Sequence, residues 1–238
     1  MEDKPKITLY GDYASQPTRA CYVFLKYNKV PFEFKQVRVT KLEQYSPEFK
    51  KINPNAKVPA LTDGDISMFE SHTILRYLHE SRKLPDHWYP RTDFRERAKI
   101  DEYLDWHHNG IRLGAGGYIF RKYMSSLTGK PAPKESINES LMNLKKSFKL
   151  MEQYWLKDDK QKYLLGNELT LADFSCASEI TQIIPSNIAS ILDGYPKVKA
   201  WFQRILDISE FNKVHHKAIA TLSKYFQIID DQGNKPKL

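Results

Sequence analysis

Ser15 lies in the stretch "YASQPTRA", residues 13–20, where a loop meets the start of a helical pattern. Serine is a preferred N-cap residue, and the N-terminus of a helix presents unpaired N–H groups and the positive end of the helix dipole. An anion bound there would receive one more hydrogen bond from the serine hydroxyl. We therefore expect Ser15 to cap the helix, to help bind an anion, or to do both.

A thiolate is the anion for which this position of Ser15 matters most. A free thiol with a pKa near 8.5 is only about 3% ionised at pH 7, whereas a pKa of roughly 6.5 makes about three quarters of it reactive, for about 2.7 kcal/mol. The serine would donate to the sulfur of a bound substrate and would not itself attack. No G-x-S-x-G sequence, the elbow of the serine hydrolases, surrounds it.

Two further features would hold a peptide that carries such a thiol. If the Val58-Pro59 bond is cis, Val58 offers its backbone N–H and C=O to an extended peptide, and the trans isomer remains an alternative. Ser71 begins another helical pattern, where a carboxylate would bind N–H groups, and the acid of Glu70 would pair with an amine. One peptide with a thiol, an amine and carboxylates satisfies all three.

Alternating strand and helix signals in the first third of the chain must position these residues. A buried strand, "ITLYG", precedes a helix that begins near Pro17, and "VPFEFKQVRV" then alternates with the period of a strand. Asp63-Gly64 is a strong hairpin turn signal, and a helix follows from about Ser71. This order predicts a thioredoxin-like domain.

The chain beyond residue 92 is expected to be helical throughout. The stretch "SRKLPDHWYPRT" has two prolines and no periodicity, which indicates a linker. Asp93 with Glu96, and Thr170 with Asp173, have the spacing of capping boxes. A stripe at helical spacing predicts core packing: Ile137, Leu141, Leu144, Phe148, Met151 and Trp155. The predicted architecture is α/β plus all-α, with domains at 1–82 and 93–238 and a linker at 83–92.

The net charge of +8 is diffuse, with 13 basic against 10 acidic residues up to Arg82 and 24 against 19 beyond it. No basic stretch alternates with stacking aromatic residues, which argues against a nucleic-acid partner. No apolar run approaches the roughly 18 residues that a membrane span needs, so the composition predicts a soluble globular protein. The N-terminal residues lack the apolar core of a secretion signal.

The cysteines and histidines give no sign of a disulfide or a metal centre. Cys21 and Cys176 lie far apart in apolar helical patterns, which predicts two buried thiols in a reducing compartment. His107-His108 and His215-His216 are adjacent pairs, and neighbours on a helix point about 100° apart, unlike the i, i+4 pair of a zinc helix. We expect no metal.

Six motifs in this order and spacing resemble a cytosolic glutathione transferase of the theta class, with greatest similarity to plant-type members: "SQPTRA", "SPEFKKINPNAKVPAL", "FESHTILRYL", "DHWYP", "RAKIDEYLDWHH" and "LTLADF". The resemblance implies a thioredoxin-like domain, a helical-bundle domain that forms the acceptor site, and a homodimer with glutathione near the subunit boundary. It implies that Ser15 activates the glutathione thiol. It also implies peptide contacts from Gln16, Lys57, Val58, Glu70 and Ser71, and from Gln44 where some members have a histidine.

Arg112 matches an arginine that points towards the sulfur in some theta enzymes. A positive charge there would favour the thiolate or hold an anionic leaving group, while the alternative is a solvated helix arginine. Beside it "RLGAGGY" holds three glycines, which would either kink the helix or open room for the acceptor. Tyr10 and Tyr13 are rivals to Ser15, because other classes of the superfamily use a tyrosine at the end of the first strand.

The implied reaction is nucleophilic conjugation of glutathione to small hydrophobic electrophiles. Reduction of organic hydroperoxides is the main alternative, and a non-catalytic carrier of glutathione and apolar ligands is a second. Disulfide exchange is not expected, since Ser15 occupies the position of the reactive cysteine in the classes that use it. The expected location is the cytoplasm, with the peroxisome second because the terminal Pro-Lys-Leu resembles Ser-Lys-Leu.

Overall fold

The computed structural model describes residues 7–125 and 130–233. A four-stranded mixed sheet opens the chain, in the order β2-β1-β3-β4, with β1 parallel to β2 and antiparallel to β3, and β3 antiparallel to β4. Its strands are β1 (Ile7–Gly11), β2 (Phe32–Gln36), β3 (Ala60–Asp63) and β4 (Ile66–Phe69). The sheet and its helices form the predicted thioredoxin-like domain.

Three helices accompany the sheet: α1 (Gln16–Tyr27), α2 (Pro47–Ile52) and α3 (Ser71–Ser81). In α1 the apolar residues Val23, Phe24 and Leu25 are fully buried, and the helix packs between the sheet domain and the helical region. The hairpin between β3 and β4 turns at Gly64, whose φ of 63° is costly for residues with a Cβ. The predicted hairpin is thus confirmed.

The described chain after the sheet domain is helical, as predicted. Its helices are α4 (Phe94–Asn109), α5 (Gly117–Ile119), α6 (Lys134–Leu150), α7 (Leu171–Ile180), α8 (Pro196–Leu206) and α9 (Ser209–Gly233). Wide π turns flank α5 at Arg112–Gly116 and Phe120–Met124, and another follows α6 at Met151–Trp155. No helix in the described part of the chain is long and apolar enough to cross a membrane.

The predicted linker is a packed segment with a 3₁₀ turn of its own, Asp86–Trp88, rather than a loose connection. Trp88 is fully buried, and its ring lies 5.1 Å from the rings of both Phe24 in α1 and Phe174 in α7. Its Nε1 donates to Asn28 Oδ1 at 3.0 Å. Leu84 and Tyr89 of this segment are buried as well, at a spacing that follows neither the helix nor the strand period.

Asp173 caps α7 as the Thr170–Asp173 spacing predicts. Its carboxylate accepts from the Thr170 N–H and also from the Leu164 N–H and the Trp201 indole. At the start of α4, Asp93 Oδ1 accepts from the N–H groups of the two following positions, 95 and 96. These caps fix where two long helices begin.

The predicted apolar stripe packs against the core along α6 and the π turn that follows it. Leu144, Phe148, Met151 and Trp155 are buried, and Ile137 and Leu141 are partly buried. The backbone at Gly114 lies so close to α6 that a Cβ at this position would be 2.5 Å from the Leu144 Cα. This glycine is therefore needed for close helix contact, which neither sequence alternative for the glycines foresaw. The terminal tripeptide at 236–238 lies outside the described residues.

Candidate active site

Two adjoining cavities lie between the sheet domain and the helical region. The inner cavity has a volume of about 190 Å³ and the outer cleft about 810 Å³. All eight site residues predicted from the sequence line one or both of them. Glu70 and Ser71 line the inner cavity, Ser15, Gln16 and Gln44 the outer cleft, and Lys57, Val58 and Arg112 both.

Ser15 is half-buried at the mouth of the outer cleft and is the N-cap residue of α1. Its Oγ accepts from the Thr18 N–H at 3.4 Å, and its own N–H donates to the Asp12 carbonyl at 2.9 Å. A hydroxyl that accepts one such bond still has its proton to donate. The capping role is therefore confirmed and leaves the hydroxyl free to serve as a donor.

Asp12 and Arg19, which the sequence analysis did not single out, hold the loop before Ser15. The Asp12 carboxylate accepts from the N–H groups of Ala14 and Val39. The fully buried Arg19 donates to the carbonyls of Tyr13 and Ala14 at 2.7 and 3.1 Å. Burial lowers the pKa of Arg19 to about 10, although the charges of Glu179 and Asp12 raise it. A charged residue inside an apolar helical pattern was the signal for Arg19.

Neither rival tyrosine lines the two cavities. The ring of Tyr10 packs edge-on against Phe49, under the sheet. Tyr13 packs against Tyr22 and Phe34. Burial is the main cause that raises the pKa of Tyr13, and the contact with Tyr22 raises it further. Tyr13 is therefore a poorer proton donor than an ordinary tyrosine. The geometry favours Ser15 over both.

Cys21 is also not a candidate for the reactive thiol. It is fully buried, its Sγ lies 3.7 Å from the Ser71 carbonyl, and burial raises its pKa. A thiol in this state is inert, because the thiolate is the reactive form. Both cysteines are free and buried, as the sequence predicts.

Val58 lines both cavities, and the Val58–Pro59 bond is cis. The preceding turn is held by Asn53, whose Nδ2 donates to the Lys57 carbonyl at 2.6 Å. Val58 therefore lies where the two cavities meet.

Glu70 and Ser71 form the far wall of the inner cavity. Glu70 has a φ of 70°, a conformation that costs a non-glycine residue of order 1–3 kcal/mol and that clusters at ligand sites. It is the N-cap residue of α3, so the N–H groups of the first turn, beginning at Ser71, face the same region. An amine and a carboxylate can be bound here side by side.

Gln44 lies in a 3₁₀ turn, Glu43–Tyr45, at the edge of the outer cleft. It is buried, and its Oε1 has no hydrogen-bond partner within the residues that the structure describes. A buried acceptor without a partner is costly, so a ligand donor at this edge would be favourable.

Gln16 and Arg112 both reach a buried acid, Glu179, which the sequence analysis missed. Gln16 Nε2 donates to one carboxylate oxygen at 2.9 Å and Arg112 Nη1 to the other at 3.1 Å. Arg112 is therefore ion-paired and is not the solvated helix arginine of the alternative, although 39% of its side chain is exposed. A second acid in the largely apolar helix "LADFSCASEI", beyond the capping Asp173, was the available signal.

Three histidines surround the inner cavity. The His72 ring lies 4.9 Å from that of His107 and 4.6 Å from that of His108. Burial lowers the pKa of His72 well below its usual value, and the neighbouring histidines and arginines lower it further. His72 is therefore neutral at pH 7. No group of three or more His, Cys, Asp or Glu side chains within 7–125 and 130–233 is arranged to hold a metal ion.

The walls of the outer cleft are apolar on the helical side. They include Leu113, Ile119, Phe120, Met124 and Leu222. Basic residues stand at the rim, among them Arg121 and Lys130. Such a cleft suits a hydrophobic molecule that carries or releases negative charge.

The chain was compared with known proteins. Residues 5–80 match the family described as glutathione S-transferase, N-terminal domain, and residues 118–208 match glutathione S-transferase, C-terminal domain. Glutathione S-transferase T1 of Arabidopsis thaliana is 39% identical over 203 residues, covering 83% of this chain and 82% of that protein. Glutathione S-transferase theta-3 of Mus musculus is 37% identical over 200 residues, covering 84% and 81%.

Solved structures agree with these sequence matches. Human glutathione transferase theta-2 in complex with glutathione superposes with a TM-score of 0.85 at 32% identity, covering 93% of this chain and 91% of that one. A human theta-class enzyme in complex with the glutathione conjugate of 1-menaphthyl sulfate gives a TM-score of 0.85 at 31% identity, covering 94% and 91%.

Proposed function

The chain belongs to the glutathione S-transferase family and is a theta-class glutathione transferase, and from that premise we propose that Ser15 holds the glutathione thiol as a thiolate for attack on a hydrophobic electrophile. The observation that carries this assignment is the position of Ser15. It is the hydroxyl at the N-terminus of α1 that faces the cleft, whereas Tyr10 and Tyr13 do not line it.

In this mechanism the thiol proton leaves for solvent, and the sulfur receives a hydrogen bond from the Ser15 hydroxyl. The dipole of α1 adds positive potential at the same point. The sulfur lone pair then forms the bond to the electrophilic carbon, and the bond to the leaving group breaks with its electron pair. Arg112, at the boundary of the two cavities, stabilises the departing anion.

The peptide spans the two cavities in the proposed complex. Glu70 pairs with the α-amine, and the N–H groups that begin at Ser71 receive the α-carboxylate. The Val58 backbone pairs with the cysteinyl unit, as a neighbouring strand would. Lys57 attracts the glycine carboxylate at the outer edge, and the side-chain NH₂ of Gln44 donates to it. Gln16 lies beside the sulfur end.

The kinetics of glutathione conjugation test the assignment of Ser15. We expect Ser15→Ala to lower kcat/KM by roughly 10²-fold, the scale of one lost donor to a reacting anion. Tyr10→Phe is the matched control, since it also removes one hydroxyl near the end of β1, and it should stay within a fewfold of wild type. The reverse ranking of the two variants would refute the assignment.

Three finer features remain proposals. The basic rim and apolar wall of the outer cleft support hydrophobic electrophiles with anionic leaving groups, and hydroperoxides are a further class for the same thiolate. The expected assembly is a homodimer. The expected location is the cytoplasm, and the peroxisomal alternative depends on residues 236–238.

A further inference from the structure

Glu179 is 1% exposed, lies in the last turn of α7, and has no part in the mechanism above. Its Oε1 accepts from Gln16 Nε2 at 2.9 Å and from Gln182 Nε2 at 2.6 Å. Its Oε2 lies 3.1 Å from Arg112 Nη1 and 3.6 Å from His107 Nε2. One carboxylate of the helical region therefore contacts both a proposed peptide contact and the proposed cation of the reaction.

The charge of Glu179 is retained in this buried place. Burial raises its pKa, but Arg112, His107 and Gln16 together lower it to about 2, so the group is ionised at neutral pH. A buried charge is tolerated only when it is paired and hydrogen-bonded, and here four side chains supply that pairing. The titratable and charged groups around Glu179 are Arg19, Tyr103, His107, His108, Arg112 and Cys176.

Gly116 makes the contact between Glu179 and Gln16 possible. A Cβ at this position would lie 2.6 Å from Glu179 Oε1 and 3.1 Å from Gln16 Nε2, so that any side chain would push the pair apart. Gly116 has an ordinary helical φ of −62°, and the backbone therefore does not itself require glycine. The close approach of the pair does require it.

We propose that Glu179 is a positioning residue for the transfer reaction, which fixes Gln16 against the peptide and Arg112 beside the sulfur. The contact with Gln16 crosses from the helical region to the start of α1, whereas the contact with Arg112 lies within the helical region. One group therefore aligns the glutathione side and the acceptor side of the site. This inference rests on the proposed function, because it takes Ser15 and Arg112 to flank the sulfur.

Glu179→Gln is the first test, since glutamine keeps the volume and removes the charge. Its amide NH₂ must face either the Gln16 amide or the Arg112 guanidinium, so one contact is lost. We expect the glutathione Kd, measured by calorimetry, to rise at least about fivefold. The charge of Arg112 is no longer neutralised and therefore favours the thiolate of bound glutathione more strongly. The acidic limb of the pH profile of kcat/KM for the electrophile, measured at saturating glutathione, should move to lower pH by roughly one unit.

Glu179→Asp and Gly116→Ala separate position from charge. Aspartate keeps the charge but is one methylene shorter, and the new Cβ at position 116 displaces the carboxylate without changing it. Both should raise the glutathione Kd severalfold and leave the acidic limb within a few tenths of a pH unit of wild type. Gly194→Ala is the control for the glycine change, because a Cβ there meets nothing within 4 Å.

Glu152→Gln is the control for a merely structural glutamate, since Glu152 accepts from the Val198 N–H in the helical region, away from both cavities. It should lower the thermal midpoint and leave the Kd and the pH profile unchanged. A Glu179→Gln variant that behaves in the same way would overturn the proposal.

The double variant Glu179→Gln with Gln16→Ala gives a second readout. If Glu179 acts through Gln16, the two changes raise the glutathione Kd non-additively, and fully additive effects would contradict the proposal. Ser15→Ala measured beside them keeps the two hypotheses distinct. A wild-type pH profile in Ser15→Ala would refute the proposed function, whereas the effect of Glu179 on the Kd would be unaffected.

Discussion

In the proposed mechanism, Ser15 acts through the position of its hydroxyl oxygen rather than through any reactivity of its own. That place depends on the loop before it, which is tied at two points by Asp12 and at two carbonyls by Arg19. Arg19 also donates to Thr181 Oγ1 at 3.2 Å, so the loop is fixed to the helical region as well. A planar guanidinium with several donors is suited to this task, and an ammonium group is not.

Arg19→Lys should therefore weaken the site although the charge is kept. A lysine cannot reach all three oxygens, and the loss of buried hydrogen bonds costs about 2 kcal/mol of unfolding free energy. We expect a lower urea midpoint together with a severalfold higher KM for glutathione. Arg38→Lys, at an exposed arginine that pairs with Glu43, should leave the urea midpoint nearly unchanged. Equal losses in the two variants would contradict this role of Arg19.

At the level of the elements, the start of α7 is the most densely bonded cap in the described chain. Asp173 is fully buried, and four donors converge on its two oxygens, from Leu164, Trp201 and both the N–H and the hydroxyl of Thr170. Since α7 packs on α1 and carries Glu179, the position of this helix matters to the site.

Asp173→Asn tests the cap. The amide has one acceptor oxygen, and its NH₂ must face donors, so we expect a loss of about 3 kcal/mol of unfolding free energy in urea titrations. The same substitution at Asp93 is the matched control, because Asp93 is exposed and asparagine caps helices about as well as aspartate. A loss at Asp173 no larger than that at Asp93 would show that the buried network does not stabilise α7.

The strands, the hairpin, the caps and the stripe of α6 could be predicted because each depends on residues close together in sequence. The pairing of Gln16 with Glu179, 163 positions apart, could not, because no local pattern encodes which distant helix lies beside the start of α1. For the same reason Ser15 could be placed at the head of a helix from sequence, while the ion pair of Arg112 could not. The sequence shows that position 114 is a glycine, but its close approach to Leu144 depends on how α6 packs.

At the scale of the whole molecule, one continuous core joins the sheet domain to the helical region. Leu9 and Phe24 belong to the same buried cluster as Phe174 and Trp201, and the buried Trp88 lies between α1 and α7. Two domains with separate cores can unfold separately, but two that share a core should not. We therefore expect a single cooperative unfolding transition.

A tryptophan placed in the sheet domain tests this expectation. All four natural tryptophans lie at or beyond residue 88, so Tyr22→Trp adds a fluorescence reporter where none exists. Tyr22→Phe keeps only the natural tryptophans as reporters and controls for loss of the tyrosine. Urea midpoints from the new reporter and from the natural ones should coincide. A separate, lower midpoint for the sheet domain would contradict a shared core.

The proposed mechanism depends on the pKa of the thiol of bound glutathione. Ultraviolet titration of the thiolate of glutathione bound to the wild-type protein, followed from acid to neutral pH, measures it most directly. We predict a thiol pKa about two units below that of a free thiol, near 6.5, and a clear return towards 8.5 in Ser15→Ala. A bound thiol that ionises at the same pH as glutathione in water would contradict the proposed mechanism.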